Sequence, residues 1–411
     1  MIHPSRKIIG ERSEALKGKK VIVGVTASVA LYKSLDLVRE LMRRGADVTV
    51  VLTKKASQMI SPMMFEWASG NKTFVEFKGE LGHIALAEEN DAMIIAPCTI
   101  NTLTKIAYGI ADNSVSLVAL TMLGGKKGVA IVPAMHIQLY ETEQYRVAVN
   151  KLESQGVQIM EPEIVKDKAH IPEVEDIASF FEAVTLRGKD LRGKKFLVTA
   201  GPTREYLDPV RFITNASSGE MGIQISREIS FRGGEVTLIA GNITTNTKVL
   251  AKRVINVETT NQMKEKVIDE IKKGEYDSVI LAGAPADYSF SINSNDKIKS
   301  EIGNLSVELR ATPKIAKEVR EHFMGNLVIF SAETVNGNIE ELSKRAREKL
   351  YKYSADIVVA NDVSRKDIGF RSKYNEVLII DKDGKEVFVS FNLKSIIARY
   401  IVDKVKERIL K

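Results

Sequence analysis

Two stretches of the chain begin in the same way. LKGKKVIVGVTASVA starts at residue 16, and LRGKKFLVTAGPTRE starts at residue 191. Each has a short basic lead, an apolar run rich in β-branched residues and a loop of small residues, which is typical of the first strand and phosphate-facing loop of an α/β domain. The chain has 411 residues, more than one hydrophobic core usually supports. The sequence therefore predicts two α/β domains, residues 1–186 and 187–411, joined near the basic, glycine-containing segment 184–195.

The composition is that of an ordinary globular protein. Hydrophobic residues make up 44% of the chain and charged residues 27%, which indicates neither a disordered nor a fibrous protein. The longest apolar runs, such as residues 114–123, are shorter than the roughly 20 residues of a membrane-spanning helix, and the N-terminus lacks a signal-peptide core. The single cysteine, Cys98, excludes an intrachain disulfide and a multi-cysteine metal site. We expect a cytoplasmic protein without membrane contact or a protein-held metal.

The net charge of +7 does not identify a partner by itself. Lys and Arg are interspersed with acidic residues, and no basic run alternates with aromatic residues. A solvated surface accounts for most of this charge, and anionic small substrates suit the excess. Nucleic-acid binding is the weaker alternative and is not predicted.

The first half alternates predicted strands and helices. Apolar runs at residues 19–27, 46–53, 91–99 and 126–135 predict strands, and SLDLVRELMRRG predicts a helix that ends at Gly45. This alternation predicts a parallel, doubly wound sheet, whose ligands lie beyond the carboxyl ends of the strands.

Small and hydroxylated residues follow the first two of these strands. A phosphate is favoured there by free backbone N–H groups and by the helix dipole, although ordinary helix capping explains the same residues. The loop does not fit G-x-G-x-x-G, and Thr53 stands where a dinucleotide-binding domain has an acidic residue for the ribose. A mononucleotide such as FMN fits better.

Three motifs of the first half together resemble the flavin-dependent cysteine decarboxylases. They are GHIALAEENDAMIIAPCTINT (82–102), GIADN (109–113) and PAMHIQLY (133–140). The resemblance covers about residues 18–160 and implies a flavodoxin-like fold, FMN as cofactor, and His83 of the Gly-His-Ile motif as a catalytic residue. It also implies that FMN is held by Gly24, Thr26, Ser28, Thr53, Thr99, Asn101, Asn113 and Met135.

The chain departs from that family pattern in three places. Ala27 replaces a usual glycine, and His136 stands where the family has an asparagine that binds the substrate carboxylate. An imidazole can also donate to a carboxylate, so His136 is assigned the same catalytic-site role. The segment 161–177 has no counterpart of the cysteine in the family's substrate clamp. Lys166, Lys168 and His170 of this segment are candidates for holding an anionic substrate, with a solvated charged loop as the alternative.

The second half has its own set of motifs. A strand at residues 194–200 leads into GPTREYLDPVRFITNASSGEMG, followed later by APADYS, KIKS, FSAET and VVAND. NASSG places hydroxyl and N–H groups at a helix start, as a triphosphate site requires, although capping alone explains it too. Together the motifs resemble the ligase half of the bifunctional phosphopantothenoylcysteine decarboxylase and phosphopantothenate–cysteine ligase family, over about residues 190–400, with a Rossmann-like fold.

That resemblance implies an enzyme of coenzyme A synthesis. The ligase half would join 4'-phosphopantothenate to cysteine with CTP or ATP, through an acyl-nucleotidylate, and Mg²⁺ would screen the phosphates. Asn215 and Lys297 would be catalytic. Nucleotide and substrate would contact Arg211, Ser217, Ser218, Gly219, Ala286, Asp287, Lys299, Phe330 and Lys349.

Two of the ligase positions differ from the pattern. Glu220 replaces a common lysine of the SSGKMG motif, and Tyr353 stands where a second phosphate-binding lysine is usual. Both differences place the local phosphate contacts in question. The polar segment 289–300, which carries Lys297, is predicted to be a lid over the nucleotide, with a passive surface loop as the alternative.

Two other functional classes stay open from sequence. The first half could be a flavin-binding electron carrier, which would leave His83 without a kinetic role. The chain could also be an NAD-dependent dehydrogenase, which needs a hydride-acceptor site that the loops do not contain. The resemblance further implies a homo-oligomer, because relatives of the first half form trimers and ligase halves pair as dimers, and the two symmetries together can build a closed dodecamer.

Overall fold

The computed structural model describes residues 3–77, 82–165, 168–299, 303–365, 368–369 and 372–410, apart from the side chains of Val165 and Lys168. The chain divides into two compact units, Met1–Gly188 and Lys189–Lys411. Each unit is built on a sheet that is wholly or mainly parallel. The predicted class, two doubly wound α/β domains, is confirmed.

The first unit alternates strands with helices, as the apolar runs predict. Its strands are β1 (Lys20–Val25), β2 (Asp47–Leu52), β3 (Thr73–Phe74), β4 (Ala92–Cys98), β5 (Gly128–Pro133), β6 (Met135–His136), β7 (Gln158–Ile159), β8 (Glu163–Val165) and β9 (Lys168–His170). Its helices are α1 (Lys33–Arg43), α2 (Lys54–Met59), α3 (Pro62–Ser69), α4 (Gly82–Glu89), α5 (Ile100–Ala107), α6 (Ser114–Gly124), α7 (Ile137–Tyr140), α8 (Glu143–Ser154) and α9 (Val174–Arg187). Short 3-10 turns occupy Pro4–Ile8 and Val29–Tyr32.

Six of these strands form one parallel sheet in the order β3-β2-β1-β4-β5-β7. Without the two-residue edge strand β3, the order is the flavodoxin-like one, with its switch point between β1 and β4. All seven residues of β4 are buried, because helices cover both faces of a parallel sheet of this kind. The switch point directs the ends of β1 and β4 towards one crevice.

The helix predicted to end at Gly45 stops there for a steric reason. Gly45 has φ +102°, and a Cβ atom at this position would lie 2.8 Å from the backbone nitrogen of Lys17. Only glycine fits this turn without strain. The turn leads directly into β2.

A small three-stranded sheet includes the first part of the predicted clamp segment, 161–177. β8 and β9 form an antiparallel hairpin, and β9 pairs with β6. Met135 lies opposite Ala169, and His136 lies opposite Lys168. The clamp segment is therefore bonded to the PAMH motif.

The second unit has a larger sheet and two hairpins. Its strands are β10 (Lys195–Ala200), β11 (Arg204–Tyr206), β12 (Phe212–Thr214), β13 (Glu235–Ala240), β14 (Arg253–Asn256), β15 (Ser278–Leu281), β16 (Tyr288–Phe290), β17 (Leu309–Ala311), β18 (Asn326–Glu333), β19 (Ile357–Asp362), β20 (Tyr374–Asp381) and β21 (Glu386–Leu393). Its helices are α10 (Glu220–Phe231), α11 (Thr260–Lys273), α12 (Ile315–His322), α13 (Ile339–Lys352) and α14 (Lys394–Ile409).

The main sheet has the order β14-β13-β10-β15-β18-β19-β20-β21. Its first six strands are parallel, and β20 and β21 add an antiparallel edge. One apolar core lies under α10 and α14, and the other lies under α11, α12 and α13. The order reverses between β10 and β15, which is where a doubly wound sheet binds its ligand.

Close packing fixes α10 against the end of β10. A Cβ atom at Gly222 would lie 2.6 Å from the Cβ atom of Ala200 and 2.7 Å from the carbonyl oxygen of Thr199. Glycine thus lets the helix start directly over the strand end. This brings the NASSG loop to the edge of the crevice.

Candidate active sites

The ends of β1 and β4 are joined by the hydroxyl of Thr26. Its Oγ1 donates to the carbonyl oxygen of Pro97 at 2.9 Å and accepts from the backbone N–H of Thr99 at 3.0 Å. Thr26 is 1% exposed, so these bonds are shielded from water. Thr26 therefore builds the crevice rather than offering a free hydroxyl to it.

Three other predicted flavin residues cap the helices at this edge. Ser28 accepts from Ala30 N, Thr53 accepts from Ala56 N, and Asn113 accepts from Ser116 N. The neighbouring Ser114 hydroxyl donates to the carbonyl oxygen of Leu52 at 2.6 Å, which ties the start of α6 to the end of β2. The structure thus brings Thr53 and Asn113 to adjacent element ends.

The start of α5 offers donors to a ligand. Thr99 is its N-cap residue, but the Thr99 side chain makes no capping bond, so the first-turn N–H groups lack that partner. Asn101 is exposed in this first turn, and Met135 follows β5 half-buried. Open N–H groups beside neutral hydroxyl and amide side chains suit a phosphate and the polar edge of a flavin, so the residues fit FMN.

Gly24 has a different local role. It lies inside β1, where a Cβ atom would be 2.7 Å from Cε of Met93 and 3.2 Å from Cγ1 of Val115. Its missing side chain therefore allows β4 and α6 to pack closely. This packing holds β1, β4 and α6 together next to the crevice.

His83 lies in the first turn of α4 and is half-buried. Its ring meets the ring of Phe77 edge-on, with centroids 6.0 Å apart, and Phe77 stacks on Phe74 at 5.6 Å. Residues 78–81, which join Phe77 to α4, lie outside the described residues. The aromatic contact fixes one side of the imidazole, and no described residue hydrogen-bonds its ring nitrogens, which can serve a substrate.

The clamp segment is anchored close to His136. His136 is exposed and its Nδ1 accepts from Gln138 N, which makes it the N-cap residue of α7. Four residues on, the Tyr140 hydroxyl donates to Glu161 at the start of the clamp segment at 2.7 Å. Of the clamp candidates, His170 is exposed, whereas Lys166 and the side chain of Lys168 lie outside the described part of the chain.

Cys98 is fully buried at the end of β4. Its Sγ lies 3.6 Å from the carbonyl oxygen of Thr99, within the core formed by α5, α6 and α8. Burial raises the pKa of the thiol, so the reactive thiolate is disfavoured. Cys98 packs as a small apolar residue.

The second unit contains a cavity of about 320 Å³ at its switch point. This volume is within the range of small-molecule sites. Six residues predicted from sequence line it: Asn215, Ser217, Gly219, Asp287, Phe330 and Lys349.

Asn215 is held across the crevice from the end of β15. Its Nδ2 donates to the carbonyl oxygens of Pro285 at 3.0 Å and Ala284 at 3.3 Å. These bonds fix the amide plane, so its Oδ1 can face a ligand.

The NASSG loop forms a helix start whose N-cap residue has no capping side chain. Gly219 has φ +84° as the N-cap residue of α10 and has no side chain to cap the helix. The Ser217 and Ser218 hydroxyls accept from the backbone N–H groups of Gly219 and Glu220, and the carboxylate of Glu220 is hydrogen-bonded by Gln224 and Thr247. The N-terminal end of α10 therefore lines the cavity, and the carboxylate of Glu220 lies beside it.

Three lysines line the cavity. Lys314 pairs with Asp287, and Lys349 pairs with Glu333 at 2.6 Å. Although burial raises the pKa of Glu333, its bonds to Lys349 and Ser331 lower it overall. The third lysine, Lys394, is 4% exposed, and its Nζ donates to the carbonyl oxygen of Gly369 at 2.7 Å.

The remaining predicted ligase residues lie outside the cavity lining: Arg211, Ser218, Ala286, Lys297 and Lys299. Ala286 uses its backbone in bonds to Thr203 and Thr312. Lys297 and Lys299 are exposed on the arm that leaves β16.

Arg211 holds that arm in place. Its Nη1 donates to Asp208 at 2.7 Å and to the carbonyl oxygen of Ile298 at 3.0 Å. Asp208 also accepts from the backbone N–H of Ile298, and although burial raises the pKa of its carboxyl group, the backbone N–H bonds lower it overall. The predicted lid segment is therefore attached, between Lys297 and Lys299, to the loop after β11.

Sequence reasoning missed five polar residues of the cavity: Thr199, Lys314, Asn361, Asn375 and Lys394. Asn361 stands in the VVAND motif, so a signal for it was present. Asn375 lies in β20, at the antiparallel edge of the sheet, and Lys394 is the first residue of α14. No sequence motif identified either residue.

Within the described residues, no group of three or more His, Cys, Asp or Glu side chains could hold a metal ion. None of the described helices is long and apolar enough to cross a membrane.

Comparison with known proteins decides the family. A family model described as "DNA/pantothenate metabolism flavoprotein C-terminal domain" matches residues 191–409, and one described as "Flavoprotein" matches residues 9–186. The coenzyme A biosynthesis bifunctional protein CoaBC of Thermococcus kodakarensis is 38% identical over 93% of this chain and 94% of that protein. The chain belongs to the CoaBC family.

Further members of the CoaBC family match along the whole chain. The protein of Methanocaldococcus jannaschii is 32% identical over 99% of this chain and 98% of that protein. A crystal structure of the C-terminal domain of a CoaBC protein is 33% identical, covers 53% of this chain and 97% of that chain, and has a TM-score of 0.44. The predicted family and the prediction of a bifunctional enzyme of coenzyme A biosynthesis are confirmed. Family membership does not support the dehydrogenase alternative.

Proposed function

We propose that the second unit joins 4'-phosphopantothenate to cysteine at the expense of a nucleoside triphosphate, with CTP as the nucleotide. The observation that carries this proposal is the cavity at the switch point, where the start of α10, Asn215 and three lysines converge. Two phosphorylated substrates need this combination of N–H donors and cationic side chains.

The ligase chemistry needs a leaving group on the carboxylate. Attack of the phosphopantothenate carboxylate on the α-phosphate forms an acyl-nucleotidylate and releases pyrophosphate, and the amine of cysteine then displaces the nucleotide. Asn215, fixed by its bonds to Ala284 and Pro285, is positioned to contact the activated acyl group. Lys297 is proposed to offset developing charge when the arm held by Arg211 covers the cavity.

The proposed nucleotide contacts come from residues of the cavity lining and from residues next to it. Ser217 and Gly219, at the start of α10, would contact the phosphates of the nucleotide. Ser218 and Lys299, which lie outside the cavity lining, would add further phosphate contacts. Phe330 and Lys349 also line the cavity. We assign recognition of the base to Asp287, which lines the cavity, and to the neighbouring Ala286. Mg²⁺ is proposed to enter with the nucleotide phosphates.

We propose that the first unit removes CO₂ from the ligase product, 4'-phosphopantothenoylcysteine, to give 4'-phosphopantetheine. FMN, when bound, supplies transient oxidation of the substrate thiol, which creates the electron sink that decarboxylation needs. Ser28, Thr53 and the first turn of α5 would hold its phosphate, and Asn101, Asn113 and Met135 would line its ring.

The remaining residues act on the substrate. His83 would transfer or hold a proton at the reacting cysteine end, since Phe77 fixes its ring. His136, exposed at the start of α7, would donate to the substrate carboxylate in place of the family's asparagine. The clamp segment, which is anchored by the hydrogen bond between Tyr140 and Glu161, would close over His83, His136 and the bound substrate.

We further propose a homo-oligomer that combines trimeric contacts of the first unit with dimeric contacts of the second. Several large apolar side chains of the first unit are exposed, including Val29, Met63 and Trp67. Met63 and Trp67 lie one turn apart on α3, and adjoining exposed apolar side chains are typical of interaction surfaces. Light scattering tests this proposal, and a stable monomer would contradict it.

Two measurements test the two activities separately. The purified protein should show flavin absorbance, or gain it on addition of FMN; a protein that takes up no FMN contradicts the decarboxylase. For the ligase, mass spectrometry should detect an acyl-cytidylate with CTP, phosphopantothenate and Mg²⁺ before cysteine is added. If an acyl-adenylate forms with ATP and no acyl-cytidylate forms with CTP, the nucleotide is ATP and not CTP.

A further inference from the structure

Lys394 is a buried cation that has no carboxylate partner in the described part of the chain. It is the first residue of α14, is 4% exposed and lines the ligase cavity. Counting described residues only, its Nζ donates to one backbone carbonyl oxygen, that of Gly369. Among the described residues no carboxylate oxygen lies within 4.0 Å of it, whereas Lys314 and Lys349 each have one.

This arrangement is costly for a folded protein. A buried ammonium group is uncommon unless it is paired, because it loses its hydration. An ammonium has three N–H donors, and one carbonyl oxygen uses a single donor. The other donors are therefore available to a group that enters the cavity.

Asn375 provides a second, independent sign of a ligand position. It lines the same cavity and is 5% exposed, yet its buried Oδ1 has no hydrogen-bond partner among the residues that the structure describes. Asn375 pairs in the sheet with Asn392, two residues before Lys394. An open buried amide oxygen beside the cavity calls for a donor from outside the protein.

The start of α10 supplies the third component. Its N-cap residue, Gly219, gives no side-chain cap, and Glu220 follows with a carboxylate bonded to Gln224 and Thr247. An anion at this helix end meets the repulsion of Glu220 and needs a compensating cation. Lys394 is within the electrostatic reach of Glu220.

We propose that Lys394, Asn375 and the start of α10 form a phosphate subsite of the ligase cavity that takes a phosphate flanked by a hydroxyl group. The ammonium and the helix N–H groups bind the phosphate, and the amide of Asn375 accepts from the hydroxyl. This proposal rests on the proposed ligase function. Both phosphorylated substrates of that reaction, the nucleotide and 4'-phosphopantothenate, carry a phosphate together with hydroxyl groups.

The subsite has a pH signature. Burial lowers the pKa of Lys394 to about 8, and the field of Glu220 opposes this shift. Phosphate groups are already ionised above their second pKa of about 6. Binding at this subsite is therefore expected to weaken as the pH rises through about 8, whereas an arginine keeps its charge throughout that range.

The experiment measures binding to the full chain by calorimetry, with CTP–Mg²⁺ and 4'-phosphopantothenate titrated separately. Lys394→Met should weaken one of the two ligands about 10- to 100-fold at pH 7, the effect of losing a hydrogen bond to a charged group. The ligand that weakens is the occupant of the subsite. Wild-type affinity for that ligand should fall about tenfold from pH 7 to pH 9, and Lys394→Arg should remove this decline.

Lys404→Met is the matched control. Lys404 lies on the same helix and is buried, but it pairs with Asp381 and Glu407. This control should lose thermal stability and keep both affinities. Lys394→Met should keep or gain thermal stability, because it removes an uncompensated buried charge.

The outcomes separate the two levels of the proposal. If the wild type binds neither ligand, the ligase function itself is contradicted. If the wild type binds both and a folded Lys394→Met variant binds both equally well, the subsite is overturned and the ligase function stands. If Lys394→Met does not fold, the wild-type pH profile decides: affinities that stay constant between pH 7 and pH 9 overturn the subsite.

Discussion

The hydroxyl of Thr26 accepts a hydrogen bond from the backbone N–H of Thr99 at 3.0 Å. Together with its own bond to the carbonyl oxygen of Pro97, this contact joins the ends of the two strands at the switch point of the first unit. The crevice proposed for FMN thus depends on one buried side chain.

Thr26→Val should therefore destabilise the protein by about 1 to 3 kcal/mol, because it leaves the N–H of Thr99 without its acceptor. Flavin retention should fall with it, since the start of α5 loses its tie to β1. Thr26→Ser keeps the hydroxyl and is expected to resemble the wild type. Thermal melts and flavin absorbance after gel filtration check both variants. Full flavin retention in Thr26→Val would separate this junction from the FMN site.

His83→Asn should lower CO₂ release by at least about 100-fold, the usual range for loss of a general acid or base. Nucleotide-dependent pyrophosphate release should stay at the wild-type rate, because the ligase cavity is lined by residues of the second unit only. His322→Asn, on the exposed side of α12, is the control. Equal loss of both activities in His83→Asn would argue against independent sites.

Asn215→Asp should slow the ligase about 10- to 100-fold and leave FMN bound. The new carboxylate would face the carbonyl oxygens of Ala284 and Pro285, with which it cannot form the bonds that the amide makes. Trapped acyl-nucleotidylate measured by mass spectrometry reports the defect. Asn242→Asp is the control, since Asn242 bonds to two backbone carbonyls but does not line the cavity. A wild-type rate for Asn215→Asp removes Asn215 from the site.

Cys98→Ala should still yield phosphopantetheine. The thiol is buried, and burial raises its pKa, so it is a poor proton donor to an enethiol intermediate. The proton would come instead from another group of the clamp or from water. Mass spectrometry of the product decides: an enethiol two hydrogens lighter, made by Cys98→Ala and not by the wild type, would show that Cys98 is the donor.

The sequence was informative where one local pattern determines the structure. The apolar run at residues 91–99 predicted β4 at Ala92–Cys98, and the two matching lead-ins predicted β1 and β10. Gly45 marked the turn after α1 because only glycine tolerates that backbone. These features depend on neighbours in the chain.

The missing parts of the ligase cavity depend on long-range contacts. Lys394 and Asn375 reach the cavity because β20 and β21 pair antiparallel beyond β19, and no spacing in the sequence encodes that approach. The motif KIKS identified Lys297 and Lys299, but the position of the arm depends on the bond between Arg211 and Ile298, 87 residues apart. Tertiary pairing of this kind is not visible in a local pattern.

The central claim is that one chain carries two successive activities. The most direct test incubates the purified full chain with FMN, 4'-phosphopantothenate, cysteine, CTP and Mg²⁺, and measures pyrophosphate and CO₂ separately. We predict both products in equal final amounts, with no CO₂ when CTP is omitted. Pyrophosphate without CO₂, or neither product from a folded, flavin-loaded protein, would contradict the account.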